Sequence, residues 1–234
     1  MPRRAIVTLV ARQAAGRAFM IQKLIKSFCT NVLVVGLLVA DMTLNGSIEA
    51  QESLVPEEHF TVENPADLTP KESEAIYQSL VDDLNARYLL SALPELDHYT
   101  YWQRVNQHPY LSATHGQRFI NNYVNVLGRN YAKAEEFDHM PVGAVLAKDS
   151  FTVTSDQHIY AGPLFLMEKM PAGFSSEARD WRYIMVLPDG SLFGDSADDP
   201  EGTMTFCVTC HQAAGDENDH LFFVPPEARH DHDQ

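Results

Sequence analysis

Cysteine is scarce in this chain: Cys29, Cys207 and Cys210 are the only three among 234 residues. So few thiols leave no room for a disulfide framework, and zinc would have to recruit its remaining ligands from other residue types. Basic side chains are scarce as well, 17 against 32 acidic ones, for a formal net charge of −15. That balance disfavours nucleic acid and anionic membrane surfaces as partners, and it permits electrostatic steering of a basic protein. Long apolar runs are missing too. The most hydrophobic stretch, residues 32–40, ends at Asp41. It is about half the roughly 20 residues that a membrane span needs, which disfavours a permanent N-terminal anchor.

What the N-terminal stretch does have is the layout of an export signal. Lys23 and Lys26 supply a basic region, residues 32–40 an apolar one, and Ser47-Ile48-Glu49-Ala50 ends in a small residue suited to cleavage before Gln51. Four arginines precede a second methionine, Met20, so either the basic region is long or translation starts at Met20. Removing residues 1–50 takes away six basic residues, two acidic ones and Cys29, and leaves 11 basic and 30 acidic side chains, a net of −19. The expected destination is the periplasm.

The two thiols that remain stand in Cys207-Val208-Thr209-Cys210-His211. C-x-x-C-H is the attachment signature of a c-type haem: both thiols add to vinyl groups of the porphyrin, and the adjacent imidazole turns onto the iron. Two intervening residues place both sulfurs at one edge of the macrocycle, while His211 reaches the metal from the same turn. Half a zinc site and a thioredoxin-like redox pair are the alternatives. The first lacks further cysteine ligands, and the second calls for a βαβ setting that the sequence does not offer. Export and haem attachment support each other, because bacterial c-type haem is matured outside the cytoplasm. One covalently attached haem c, with His211 as the metal ligand, is therefore expected.

Along the rest of the chain, residues 51–68 are acidic and lack an apolar period, which reads as a linker or loosely attached arm. Thr69-Pro70-Lys71-Glu72 is a capping box with proline at the first helical position, and Ile76, Leu80, Leu84, Tyr88 and Leu89 give the apolar face of a helix of about twenty residues. Ile120, Tyr123, Val124 and Leu127 predict a second helix over residues 112–134. His115 lies on it, either a haem-pocket residue or second axial ligand, or a structural histidine. After Pro141 the texture turns to short β-type runs at residues 145–153, 162–170 and 181–187, the last folded back by Pro188-Asp189-Gly190-Ser191 onto Leu192-Phe193. The acidic loop 195–202 does not follow the ligand order of an EF-hand and reads as solvated. The haem motif opens a short helix, and His230 and His232 belong to a tail read as disordered. The fold class is α+β: a mainly antiparallel sheet with flanking helices and a C-terminal c-type haem motif, residues 69–234 forming one domain.

Only 23 residues follow His211 and none is methionine, unlike small electron-transfer cytochromes c, and the β-rich region after Pro141 is unlike an all-helical cytochrome c′. Instead the sequence resembles the cytochrome P-460 family, which includes the cytochromes c′-beta. The resemblance rests on Pro141-Val142-Gly143, Ala147-Lys148-Asp149-Ser150-Phe151, Gly162-Pro163-Leu164-Phe165, Glu168-Lys169-Met170, Asp180-Trp181-Arg182-Tyr183, Pro188-Asp189-Gly190 and residues 207–211, and covers about residues 99–229. It implies a β domain, often a homodimer, holding one haem with an open distal site. In P-460 members a lysine nitrogen is bonded to the porphyrin and supports oxidation of hydroxylamine. Lys148 is the matching position. The residues alone leave this open, since alternation puts Lys148 with Ala144, Leu146, Ser150 and Thr152 on the less apolar face, where it also reads as a solvated lysine. Relatives without the crosslink bind nitric oxide in a pocket capped by apolar side chains, for which Phe151 or Met167 are the candidates. Glu168 reads either as a distal acid that relays protons or as the partner of Arg182. Two functions follow from the resemblance. One is an oxidoreductase acting on hydroxylamine or another small nitrogen compound, with a redox partner protein. The other is a nitric-oxide-binding or electron-transfer cytochrome of the c′-beta type.

Overall fold

The computed structural model describes residues 61–96, 98–133 and 139–230. The export segment, most of the acidic arm and the end of the tail fall outside the described residues. The first helix, α1 (Pro70–Tyr88), begins where the capping box places it: Thr69 Oγ1 accepts the Glu72 N–H, and the Glu72 carboxylate accepts the Thr69 N–H at 2.9 Å. Its buried line is Ser73, Tyr77, Leu84 and Tyr88, one residue round from the expected stripe, so Ile76 and Leu80 flank the contact and Leu89 is exposed.

Eight strands form one antiparallel sheet: β1 (Gln103–Arg104), β2 (Tyr110–Ser112), β3 (Arg118–Val124), β4 (Val145–Val153), β5 (Ile159–Ala161), β6 (Leu164–Lys169), β7 (Trp181–Val186) and β8 (Leu192–Asp195). The main path runs β1-β3-β4-β6-β7-β8, with β2 also on β3 and β5 also on β4. The chain is thus of the α+β class, with a mainly antiparallel sheet and two α-helices among the described residues, the second being α2 (Thr205–Gln212). Among these residues no helix is long and apolar enough to cross a membrane.

The expected helix over residues 112–134 is instead the end of β2, a turn, β3 and a short 3-10 turn, Arg129–Lys133. All seven residues of β3 are buried, so neither face shows the polar alternation by which a half-exposed strand is read. Its two asparagines are paired internally: Asn121 Nδ2 donates to Asp149 at 3.0 Å and Asn122 Nδ2 to Tyr131 at 2.9 Å. Residues 61–68 are likewise more firmly attached than a loose arm, since the N–H groups of Val62 and Ala66 donate to the carbonyls of Gly116 and Val153.

The sheet is a middle layer. α1 covers one face, where Tyr77, Leu84 and Tyr88 pack on Phe119, Ala147, Phe151, Leu164 and Leu166. On the opposite face Leu146, Met167, Tyr183 and Met185 pack with the α2 region and with Leu221 and Val224. Because β4 is covered on both sides, its pleat sends Asp149 into the first interior and Lys148 into the second. Asp149 is fully buried and accepts hydrogen bonds from Tyr77 Oη at 2.7 Å, Tyr99 Oη at 3.1 Å and Asn121.

Burial pushes the Asp149 carboxyl up from its ordinary 3.8 to about 6, against the opposing pull of these donors. The folded chain therefore holds this proton more tightly than the unfolded one. The resulting stabilisation is fully present below pH 3.8 and is lost as pH rises through about 6. Its size is roughly 3 kcal/mol at 1.36 kcal/mol per pKa unit. Asp149→Asn should remove this fall, so that its unfolding free energy, measured in urea from pH 4 to 7, runs flatter than that of the parent. Parallel profiles would show that Asp149 does not titrate in this window.

Candidate functional site

On the face of the sheet away from α1 lies a cavity of about 340 Å³. β4 contributes Leu146 and Lys148, β6 Phe165 and Met167, and β7 Tyr183 and Met185, every second residue of three adjacent strands. α2 closes the opposite wall with Cys207, Cys210 and His211, and residues 113–116 between β2 and β3 form one edge. α2 is placed by Asp199, whose carboxylate accepts the N–H groups of Thr203 at 2.7 Å and Met204 at 2.6 Å just before its first turn. Asp195 in the same acidic loop binds Arg182.

His211 is buried, and its Nδ1 donates to the backbone carbonyl of His220 at 2.8 Å. A carbonyl only accepts, so the proton sits on Nδ1 and Nε2 keeps its lone pair, the tautomer that a metal ligand requires. Burial, with the Lys148 charge nearby, holds the imidazole pKa down at about 3. The His220 carbonyl is itself fixed. Asp219 and His220 both have positive φ, 51° and 59°, a conformation costly for non-glycine residues. Around it the fully buried Asp219 carboxylate accepts from Lys169 Nζ at 2.6 Å, Arg179 Nε at 3.2 Å and the Met140 N–H at 3.0 Å, while its carbonyl accepts from Trp181 Nε1 at 2.8 Å.

Lys148, for which the sequence leaves a haem-pocket lysine and a solvated one both open, is only 6 % exposed. Its amine has no carboxylate partner among the described residues, and burial lowers its pKa to about 8. Arg118 is nearly as buried, lines the same cavity, and donates only to the backbone carbonyls of His115 and Gly116. In a chain with nearly twice as many acids as bases, this cavity contains two basic side chains and no Asp or Glu. The Tyr183 hydroxyl is buried without a hydrogen-bond partner among the described residues. Such a wall is unsatisfied as it stands and fits a flat, mostly apolar group carrying anionic arms.

A c-type haem has that chemistry. Cys207 and Cys210 would hold it by thioethers, His211 would reach its iron, and Arg118 would supply positive charge for its propionates. Other uses of the two thiols fit less well. Burial pushes Cys207 up to about 12, the opposite of what a reactive thiolate needs. The all-antiparallel sheet offers no βαβ unit, and among the described residues no three His, Cys, Asp or Glu side chains gather to hold a metal ion. A porphyrin brings its own ring nitrogens, so its iron asks the chain for only one or two ligands.

Of the other candidates, Met167 lines the cavity but Phe151 does not. Phe151 is on the α1 side of β4, stacked on Phe119 at 5.4 Å, as alternation from Lys148 requires. Glu168 also points away from the cavity. It faces Arg182 across the β6–β7 ladder, and Arg182 Nη1 donates to its carboxylate at 2.8 Å. Its role as a distal acid is therefore replaced by an ion pair. His115, by contrast, is in the cavity, with its ring 6.4 Å from that of His211. Arg118, Phe165 and Tyr183 carried no motif that singled them out as lining residues. The chain matches no protein-family model and no curated protein.

Removing the Asp219 carboxylate leaves Lys169 and Arg179 without their shared anion and frees the segment that carries the His220 carbonyl. Asp219→Ala should cost about 3–5 kcal/mol of unfolding free energy, the range for breaking a buried pair from one side. Chemical denaturation measures it, and a loss within experimental error would show that the segment is held by other contacts.

Proposed function

We propose that the chain is an exported, periplasmic mono-haem c-type cytochrome, an oxidoreductase whose iron meets hydroxylamine or another small nitrogen compound. The observation that carries this reading is the convergence of Cys207, Cys210, His211 and the unpaired, buried Lys148 on one cavity without acidic side chains. When bound, a haem would supply redox-active iron. The residues do the rest. His211 keeps Nε2 unprotonated by donating Nδ1–H to His220, which favours metal binding and fixes the plane of the ring. Leu146, Phe165, Met167 and Met185 exclude water from the sheet side of the cavity. Lys148, with its pKa lowered to about 8, has some free amine near neutral pH; bonding that nitrogen to the ring would replace a ring C–H, releasing two protons and passing two electrons to an added oxidant such as a peroxide. Electrons from the substrate leave to a redox partner, and the net charge favours a basic one.

A second reading, a nitric-oxide-binding cytochrome of the c′-beta type, is favoured by one placement. Glu168, the carboxylate suited to proton relay, is engaged with Arg182 outside the cavity. Lys148 separates the two. If its nitrogen is bonded to the ring, proteolysis of the holoprotein yields one haem joined to two peptides, and the purified protein oxidises hydroxylamine in the presence of an electron acceptor. Lys148→Ala should then retain haem on residues 207–211, give an ordinary c-type reduced spectrum and lose most of that activity. Haem on a single peptide, with no turnover in the parent protein, would move the assignment to ligand binding.

A further inference from the structure

The side of the cavity facing His211 carries a second imidazole that none of the roles above uses. Its position is fixed from several directions. His115 Nδ1 lies 3.1 Å from Ser112 Oγ and 3.2 Å from Thr114 Oγ1, and its ring packs edge-on against Phe165 at 4.8 Å between centroids. Its N–H donates to Ser112 Oγ and its carbonyl accepts from Arg118 Nη1, which ties the turn to the start of β3. Either hydroxyl can accept from Nδ1, and in the tautomer that donates there Nε2 keeps its lone pair, with no hydrogen-bond partner among the described residues. Both histidines line the cavity and are held through Nδ1, so Nε2 is in each case the ring nitrogen without a hydrogen-bond partner among the described residues.

Their separation is informative. Two imidazoles bound to opposite sides of one metal ion, each at about 2 Å from nitrogen to metal, place their ring centroids a little over about 6 Å apart. The rings of His115 and His211 are 6.4 Å apart, with their planes at 67°, an angle that two planes sharing one axis can take. A gap of this size holds a single metal layer and leaves no room for an additional ligand.

We propose that His115 is the second protein ligand of the iron, occupying the distal position at rest and giving it up when a small nitrogen ligand enters. This rests on the haem reading of the cavity and adds a gate to it. The two ligands are held differently. His211 is on a helix and donates to a carbonyl fixed by the Asp219 network, whereas His115 is in a turn that ends in Gly116 and Gln117, at φ 72° and 56°, and is anchored by neutral hydroxyls. Of the two, His115 is the one able to swing away.

The test compares the purified, export-matured ferric holoprotein with its His115→Ala variant by absorption and electron paramagnetic resonance. The expected parent is low-spin with the g-values of two imidazoles. The variant, with haem still covalently attached, should be high-spin and should return to low-spin on adding free imidazole. A His115→Gln variant should also be high-spin, which separates loss of a ligand from loss of bulk. A high-spin parent unchanged by either substitution overturns the proposal. So does a low-spin spectrum that persists in both variants, because Lys148, Met167 or Met185 would then hold the position. A chain without haem absorption would overturn the haem reading itself, and that failure is distinguishable from the others.

Discussion

Burial of β4 on both faces is the constraint from which the rest of the architecture follows. Its pleat delivers successive side chains to two separate interiors: Asp149 into a hydrogen-bonded cluster with Tyr77, Tyr99 and Asn121 beneath α1, and Lys148 into the cavity beneath α2. The β3–β4 register sets Asn121 opposite Asp149, to which it donates, and Asn122 opposite Lys148, where Asn122 is instead hydrogen-bonded to Tyr131. A slip of one residue would exchange the two layers, bringing a carboxylate into the cavity and an amine under α1.

Electrostatics then separates the interiors. The α1 side holds its buried carboxylate by neutral donors, with Arg104 and Glu74 paired at the edge at 2.8 Å. On the cavity side Lys148 and Arg118 have no carboxylate partner among the described residues, in a chain rich in acidic side chains. Folding tolerates that arrangement when something anionic completes it, and the same charges then contribute to holding the guest. Asp219, which does not line the cavity, holds the segment whose His220 carbonyl accepts from His211, so the orientation of this imidazole is set from outside the cavity.

Much of this could be read from the sequence where one local signal determined one local structure. The capping box at Thr69, the hairpin after Pro188, the runs that became β4, β6 and β7, and the helix carrying residues 207–211 are of this kind. β3 was hidden because burial on both faces removes the alternation that marks a strand, and Ile120, Tyr123 and Val124 then mimic a helical spacing. The same two-sided burial left Lys148 ambiguous between a pocket lysine and a solvated one, since its less apolar face borders a cavity instead of water. Phe151 was a candidate through the family resemblance and Glu168 either as a distal acid or as the partner of Arg182; the pleat turns Phe151 toward α1, and the Arg182 pairing of Glu168 is the alternative that the structure takes. His115 was legible as either a haem-pocket or axial histidine or a structural one, with no motif to decide. Its place opposite His211 depends on β2 and β3 forming a hairpin.

The central claim is that the cavity is completed by a haem bonded to Cys207 and Cys210, and intact mass under denaturing conditions tests it most directly. After export in a bacterium equipped for c-type haem attachment, the chain should carry the mass of one haem, and Cys207→Ser with Cys210→Ser should carry none. A matured parent chain at the mass of its polypeptide alone would contradict the account.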